Sequence, residues 1–255
     1  MLGTVTNTLN IDPSLRVRMP HKPREKFKTE HNVFDKFTNR ILFKLISEGH
    51  FSGLESAIAL GKEANVFSAK RKGEGRVIVK IYRLEASDFH GMYNVLKTDP
   101  RYVGLKGKRR KIIFQWVQRE YRNLLKAREA GVSAPTPITF KDNVLVMEYF
   151  GTSEEVAPRL VSHAPKNKAK FFDMVVEDIK KLYRFGMVHG DLSGFNILNF
   201  RERPMSIDFS QAITRQHPDF DALLKRDVKN VCGCFAKFKF KRDPDKVLSY
   251  ILKDS

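Results

Sequence analysis

“MVHGDLSGFNIL”, residues 187–198, sets a histidine, an aspartate and an asparagine between two apolar dipeptides. Asp191 can orient a hydroxyl or a water and accept its proton. Asn196, five positions later across a tight turn, can offer an amide oxygen to a metal ion. His189 can buttress that turn. Twelve residues beyond Asn196, “SIDFS” (206–210) ends an apolar strand on Asp208, a second oxygen donor. Carboxylate and amide oxygens, with phosphate oxygens completing the shell, are what Mg²⁺ selects. The spacing H-x-D-x-x-x-x-N, with an Asp-Phe after the next strand, is that of a phosphoryl-transfer site. Such a site needs a cation for the phosphates, and the rest of the chain has to supply it.

“RVIVKIY” (76–82) reads as a strand. Val77, Val79 and Ile81 point one way, and Ile78, Lys80 and Tyr82 the other. Lys80 therefore lies mid-strand among apolar residues, where a lysine is costly to bury unpaired. “KIIFQWVQREYRNLLKAREAG” (111–131) reads as a helix ending at Gly131. On it Glu120 shares a face with Ile113, Trp116, Val117 and Leu124. A carboxylate in an apolar stripe needs a cation, and Lys80 is the natural one. A strand lysine held by a helix glutamate is how kinases aim an ammonium at the α- and β-phosphates.

“LGKEANVF” (60–67) precedes these strands. Gly61, Lys62, Glu63, Ala64, Asn65 and Val66 are candidates for a phosphate-covering loop, with backbone N–H groups approaching at Gly61. The segment is neither GxxxxGK[ST] nor GxGxxG. “VLVMEYF” (144–150) falls where a hinge between two lobes belongs. There Met147, Glu148 and Phe150 would meet adenine, with backbone groups of Glu148 and Phe150 facing the base. An ordinary interior strand would read the same way.

The apolar spacing from Val33 to Ile46 predicts a helix stopped by Gly49. “ANVFSAKRKGEGRVIVKIYRL” predicts two strands around a glycine turn. Residues 84–110 read as a long loop or lid, and “APTPITF” and “NVLVMEYF” as loop and strand. A second amphipathic helix covers 169–185, “MSIDFS” is a short strand, and a last helix lies within 219–238. Strands with one helix first and mostly helices later imply an α+β, two-lobed plan. Its expected parts are a basic arm and helix (1–50), a sheet lobe with the Glu120 helix, the mobile 84–110 loop and a hinge at 147–150 (51–150), and a helical lobe with the catalytic and metal loops (151–255).

The chain has 255 residues, 42% of them hydrophobic, and a formal net charge of +18. That composition is globular. The charge implies a polyanionic partner, nucleic acid foremost. Its densest clusters are 16–28, 106–111 and 237–242. Phe235, Phe238 and Phe240 interleave with lysines, but packing of a C-terminal helix explains them better than base stacking. Cys232 and Cys234 are too close for an ordinary disulfide and read as reduced thiols. No apolar run is long enough to span a bilayer, and the N-terminus has no secretory pattern. A soluble, cytoplasmic protein is expected.

Taken together, “GKEANVF”, “VIVKIYR”, “HGDLSGFNIL” and “SIDFSQA” resemble the RIO family of atypical protein kinases, and its type-1 branch, as found in archaea, more than type 2. A type-2 member would carry a winged-helix domain ahead of “GKEANVF”, and no such pattern is present. The resemblance covers about residues 50–235. It implies a two-lobed kinase fold, ATP with Mg²⁺ (or Mn²⁺) as cofactors, serine/threonine autophosphorylation and a role in maturing the small ribosomal subunit. It also implies an ATPase cycle with Asp208 transiently phosphorylated. Lys80 would be the phosphate-binding lysine, Asp191 the catalytic aspartate, and Asn196 and Asp208 the metal ligands. Ala59 and Leu60 stand where the family usually has Ser-Thr, so a hydroxyl that could touch a phosphate is missing.

No “APE” element follows Asp208, and the remaining sequence is short. The helical lobe is therefore expected to be truncated, without activation segment or peptide-docking helices. Gly190 replaces the arginine that in ordinary kinases engages a phosphorylated activation loop. “HGDL” also occurs in antibiotic and choline phosphotransferases. Those build a larger acceptor pocket, and aminoglycosides are cations that want acidic walls, unlike this basic chain. A third reading is a non-catalytic RNA-binding assembly factor clamped by nucleotide, which an intact Lys80, Asp191, Asn196 and Asp208 argue against. The expected partners are the small-subunit precursor or its RNA and an unnamed protein acceptor, with no membrane.

Overall fold

A central antiparallel sheet carries the residues that matter most. The computed structural model describes residues 34–71, 73–85, 89–98, 102 and 104–253. The expected basic arm and the cluster at 16–28 lie outside them. Contacts divide the chain into 1–37 and 38–255. Of the first unit, 34–37 are described, and the last two begin helix α1 (Lys36–Ser47). All else below concerns the second unit.

Five strands, β1 (Gly53–Leu60), β2 (Ala64–Lys70), β3 (Arg76–Tyr82), β4 (Pro137–Lys141) and β5 (Val144–Glu148), pair in the order β1-β2-β3-β5-β4. Central β3 sets Lys80 opposite Val66 on one side and Leu145 on the other. Val77, Val79 and Ile81 are buried on one face, Lys80 and Tyr82 on the other. Two strands of this sheet were not expected. β1 is mixed in exposure and lacks clean alternation, and it is held by pairing with β2. β4 lies inside “APTPITF”, its proline at the strand start where no ladder donor is lost. “GKE” is the tight turn joining β1 and β2. The Gly61 N–H bonds the Ala64 carbonyl at 3.0 Å, and a Cβ at Gly61 would lie 2.9 Å from that oxygen.

The 84–110 segment is not all loop. α2 (Phe89–Leu96) buries Met92 and Leu96 in one core with Ile113, Trp116 and Val117 of α3 (Arg109–Glu129). Phe89, Met92, Tyr93 and Leu96 recur at i, i+3, i+4 and i+7, a single apolar stripe too short to stand out in sequence. Asn143, at the β4–β5 turn, donates from Nδ2 to the Tyr82 carbonyl (2.8 Å) and to the Thr38 hydroxyl (3.0 Å).

The helical part contains α4 (Lys168–Arg184), α5 (Phe220–Lys237) and α6 (Pro244–Leu252). Asn167 caps α4 by accepting from the Lys170 N–H. α6 was not expected. Asp243 caps it, and Pro244 at its start has no N–H to leave unpaired. Two small ladders hold the loops above these helices: β6 (Met187–Val188) with β9 (Ile213–Thr214), and β7 (Ile197–Phe200) with β8 (Arg203–Ser206). “MSIDFS” is a strand only to Ser206. Asp208 is left-handed (φ 65°), and a 3₁₀ turn, Phe209–Gln211, follows. No described helix is long and apolar enough to cross a membrane.

Phe235 is fully buried in the helical core, edge-on to Phe172 at 5.1 Å, with Phe171, Phe238 and Phe240 around it. Phe235→Ala should cost about 3–5 kcal/mol in urea unfolding. A loss below about 1 kcal/mol would show that this cluster does not hold the helices.

Candidate active site

Lys80 is the meeting point. Its Nζ donates to Glu120 Oε1 at 2.8 Å and to Asp208 Oδ1 at 3.1 Å. Tyr82, two residues along the same face of β3, donates its hydroxyl to Glu120 Oε2. Both Glu120 oxygens are thus satisfied in a buried side chain. Burial opposes the Lys80 charge, but the carboxylates of Asp208 and Glu120 override it and hold its pKa well above the ordinary value. Burial would raise Asp208, yet Lys80 and the Ser210 hydroxyl, 2.8 Å from Oδ1, keep its carboxyl below the usual range. Both donors to Asp208 use Oδ1, and no described residue donates to Oδ2. The side chain is 40% exposed towards the cleft.

Asn196 Nδ2 donates to the Asp191 carbonyl (2.8 Å) and to Asp191 Oδ2 (3.1 Å). This commits its amino group and leaves Oδ1 as a free oxygen ligand. Burial and the nearby Asp208 charge raise Asp191, against Arg226 and the Asn196 bond. His189 takes the supporting part expected of it. Its Nε2 sits 3.0 Å from the Ile207 carbonyl, and Nδ1 accepts from the Asp191 N–H at 3.3 Å. That pattern fits one neutral tautomer, protonated on Nε2. Burial drives its pKa down to about 4.

Asp227 was missed in the sequence. From α5 it accepts the Gly190 N–H on Oδ2 (2.8 Å) and the Leu192 N–H on Oδ1 (2.9 Å), straddling Asp191. Arg226 donates to the Gly190 carbonyl, and Asn230 to that of Leu192 at 3.2 Å. Burial pushes Asp227 up to about 7, against those two amides. The signal was available: a carboxylate on the buried stripe of Leu224, Val228 and Val231 calls for donors as Glu120 did. Gly190, at φ 79°, passes so close to Gln211 that a Cβ would lie 2.8 Å from its carbonyl. The ordinary kinase arginine could not sit there unstrained.

A cleft of about 320 Å³ lies between the sheet and the helical part. Of the sequence candidates, Val66, Lys80, Glu120, Met147, Glu148, Phe150, Asn196 and Asp208 line it. Gly61, Lys62, Glu63, Ala64, Asn65 and Asp191 do not. The first five form the β1–β2 turn and the start of β2, and Asp191 lies beyond Asn196. Ile58, Ile78, Leu198 and Ile207 add apolar walls that sequence reasoning did not assign. The Glu148 carboxylate turns to Thr136, accepting its N–H (3.0 Å) and hydroxyl (2.7 Å) on Oε2, and the Glu148 N–H bonds the Thr136 carbonyl at 2.9 Å, so on its backbone the carbonyl is the group left for a ligand. Among the described residues no three His, Cys, Asp or Glu side chains form a metal cage. Asn196 Oδ1 with Asp208 Oδ2 is instead a two-oxygen set, suited to a Mg²⁺ that keeps water and phosphate ligands.

The family model described as “RIO domain” matches residues 65–247. The RIO-type serine/threonine-protein kinase Rio1 of Haloferax volcanii is 38% identical over 237 residues, covering 93% of this chain and 82% of that protein. Rio1 of Methanocaldococcus jannaschii is 42% identical over 214 residues, 84% of this chain and 73% of that protein. Among solved structures, the Rio2 kinase-ADP/Mg²⁺-phosphoaspartate complex from Chaetomium thermophilum superposes with a TM-score of 0.64 at 22% identity. It covers 84% of this chain and 66% of that one, and it speaks for the two-lobed fold.

Neutral His189 has a pH consequence. With a folded pKa of about 4 against about 6.5 unfolded, the folded chain binds fewer protons in that interval. Stability is therefore complete above about pH 6.5 and lost as pH falls towards 4, by up to about 3 kcal/mol. Urea unfolding without nucleotide or metal should show this acid limb shrinking in His189→Gln. An unchanged limb would mean that His189 does not titrate as its burial requires.

Proposed function

The chain belongs to the RIO family of serine/threonine-protein kinases, and we propose that its cleft binds ATP with Mg²⁺ and passes the γ-phosphoryl to a hydroxyl beside Asp191. The observation that carries this reading is the buried Lys80, held by Glu120 and facing Asp208 across the cleft. Its ammonium would bind the α- and β-phosphates, at the cost of its contact with Asp208. Asn196 Oδ1 and Asp208 Oδ2 would hold Mg²⁺, which would neutralise the charge of the phosphates. The Glu148 and Phe150 backbones would face adenine between Ile78, Met147 and Leu198. Asp191, its pKa raised, would orient the acceptor hydroxyl and take its proton. Such a site works by positioning and electrostatics rather than covalent chemistry.

A second reaction has its own support. Asp208 is an ionised, partly exposed carboxylate with one oxygen free of donors. The Rio2 structure named above is a phosphoaspartate complex. In this chain, attack of an Asp208 oxygen on the γ-phosphorus would release ADP, and water would then release phosphate. The physiological setting we propose is assembly of the small ribosomal subunit, with the basic surface held to its RNA by charge.

Incubation with [γ-³²P]ATP, with and without small ribosomal subunits, tests this by counting acid-stable ester, hydroxylamine-labile acyl-phosphate and free phosphate. Asp191→Ala should lose ester formation by at least about a hundredfold while keeping ATP affinity. Asp208→Asn should lose the acyl-phosphate. Wild-type ester formation in Asp191→Ala would refute its role. RNA binding should weaken steeply between low and physiological salt, and salt-insensitive binding would remove the polyanion argument.

A further inference from the structure

The catalytic loop does not stand alone on the surface. It lies along α5, and the exposed side of that helix beside it is cationic. Arg226 donates to the Gly190 carbonyl, and its charge partly offsets the burial that raises Asp191. Lys229 and Lys237 lie three and eleven residues on from Arg226. At 100° per residue both fall within about 60° of it on the helix wheel. Both are exposed, and among the described residues neither has an ion-pair partner. Exposed Gly233, on the same side between them, leaves the surface flat, since nothing lies within 4 Å of where its Cβ would be. Asp221, the exposed acid of this helix, lies in its first turn, about two turns before Lys229.

The loop itself adds an apolar feature. A Cβ on Gly194 would meet Cys234 Sγ at 2.4 Å and Val161 Cγ1 at 2.8 Å, so this residue is pressed onto α5. The next side chain, Phe195, is 58% exposed, between Asp191 and the metal-ligand candidate Asn196. A large aromatic left in water on a loop that lies along this cationic helix suits a polypeptide that brings both an apolar contact and negative charge.

We infer that the α5 face of Arg226, Lys229 and Lys237, with Phe195, receives the acceptor as an acidic polypeptide segment, its hydroxyl residue flanked by carboxylates. The inference rests on the phosphotransfer reading above and names its substrate class. A polypeptide fits better than RNA because the bound group must present a serine or threonine hydroxyl at Asp191. The cations reduce the electrostatic barrier to bringing an acidic segment near Asp191 and Asp208, and they disfavour basic segments.

Three peptides with one central serine, flanked by Glu, Gln or Lys, provide the test. Wild-type kcat/KM should be about tenfold or more higher for the Glu peptide than for the Gln peptide, and lowest for the Lys peptide. In K229E/K237E the order should reverse while MgATP affinity stays unchanged, since neither lysine touches the cleft. The preference should also fade as salt rises. Equal use of all three peptides, or an unaltered order in the variant, would overturn the inference. So would loss of ribosomal RNA binding in the variant with the peptide order intact, which would assign the face to RNA. A chain that labels neither any peptide nor itself would instead overturn the phosphotransfer reading.

Discussion

A lysine buried in the middle of a sheet sets the terms for the whole molecule. Removing an ammonium from water costs several kcal/mol, so Lys80 persists only with carboxylates in direct contact. Glu120 supplies one from α3 and Asp208 the other from the loop after β8. The two carboxylates are far apart in sequence and reach Lys80 from different parts of the fold. The pairing therefore ties the sheet, its covering helix and the Asp208 loop into a single arrangement. Tyr82 completes it by occupying the second oxygen of Glu120. Glu120 is closed off, while Asp208 is open on one side. That asymmetry makes one acid a support and the other a candidate ligand.

The Asp191 loop is built on the same logic with the signs reversed. Here a buried carboxylate, Asp227, gathers two backbone N–H groups and fixes the peptide on either side of Asp191. His189 closes the other side, neutral, between the Asp191 N–H and the Ile207 carbonyl. Asp191 is thereby held through its peptide, and among the described residues no cation forms an ion pair with its carboxylate. Gly190 permits the close approach to Gln211 that brings the loop and the Asp208 turn together. In this chain the loop is braced by α5 directly, with no regulatory segment interposed among the described residues.

How much of this was legible depends on whether a residue had to break a pattern. Lys80 and Glu120 could be paired from sequence because each is a charge on an apolar face, and such charges need partners. Asn196 and Asp208 followed from spacing. Asp227 breaks a pattern in the same way but faces backbone donors, which no side-chain pairing reveals. β1 and β4 escaped because their residues neither alternate cleanly nor bury deeply, and their neighbours hold them in place. α2 was hidden by its single stripe of four residues. The “GKE” turn was recognised as a segment, yet its geometry is that of a hairpin whose turn, residues 61–65, lies off the cleft wall. The left-handed turn at Asp208 was not legible, because a non-glycine residue adopts it only where tertiary contacts demand it.

On this reading Glu120 would act on nucleotide only through Lys80. A double-mutant cycle in MgATP affinity, with Lys80→Met, Glu120→Gln and both together, addresses it most directly. Each single change should weaken binding, and the second should add nothing once the first is present. Losses that simply sum would show two independent contributions and contradict the account.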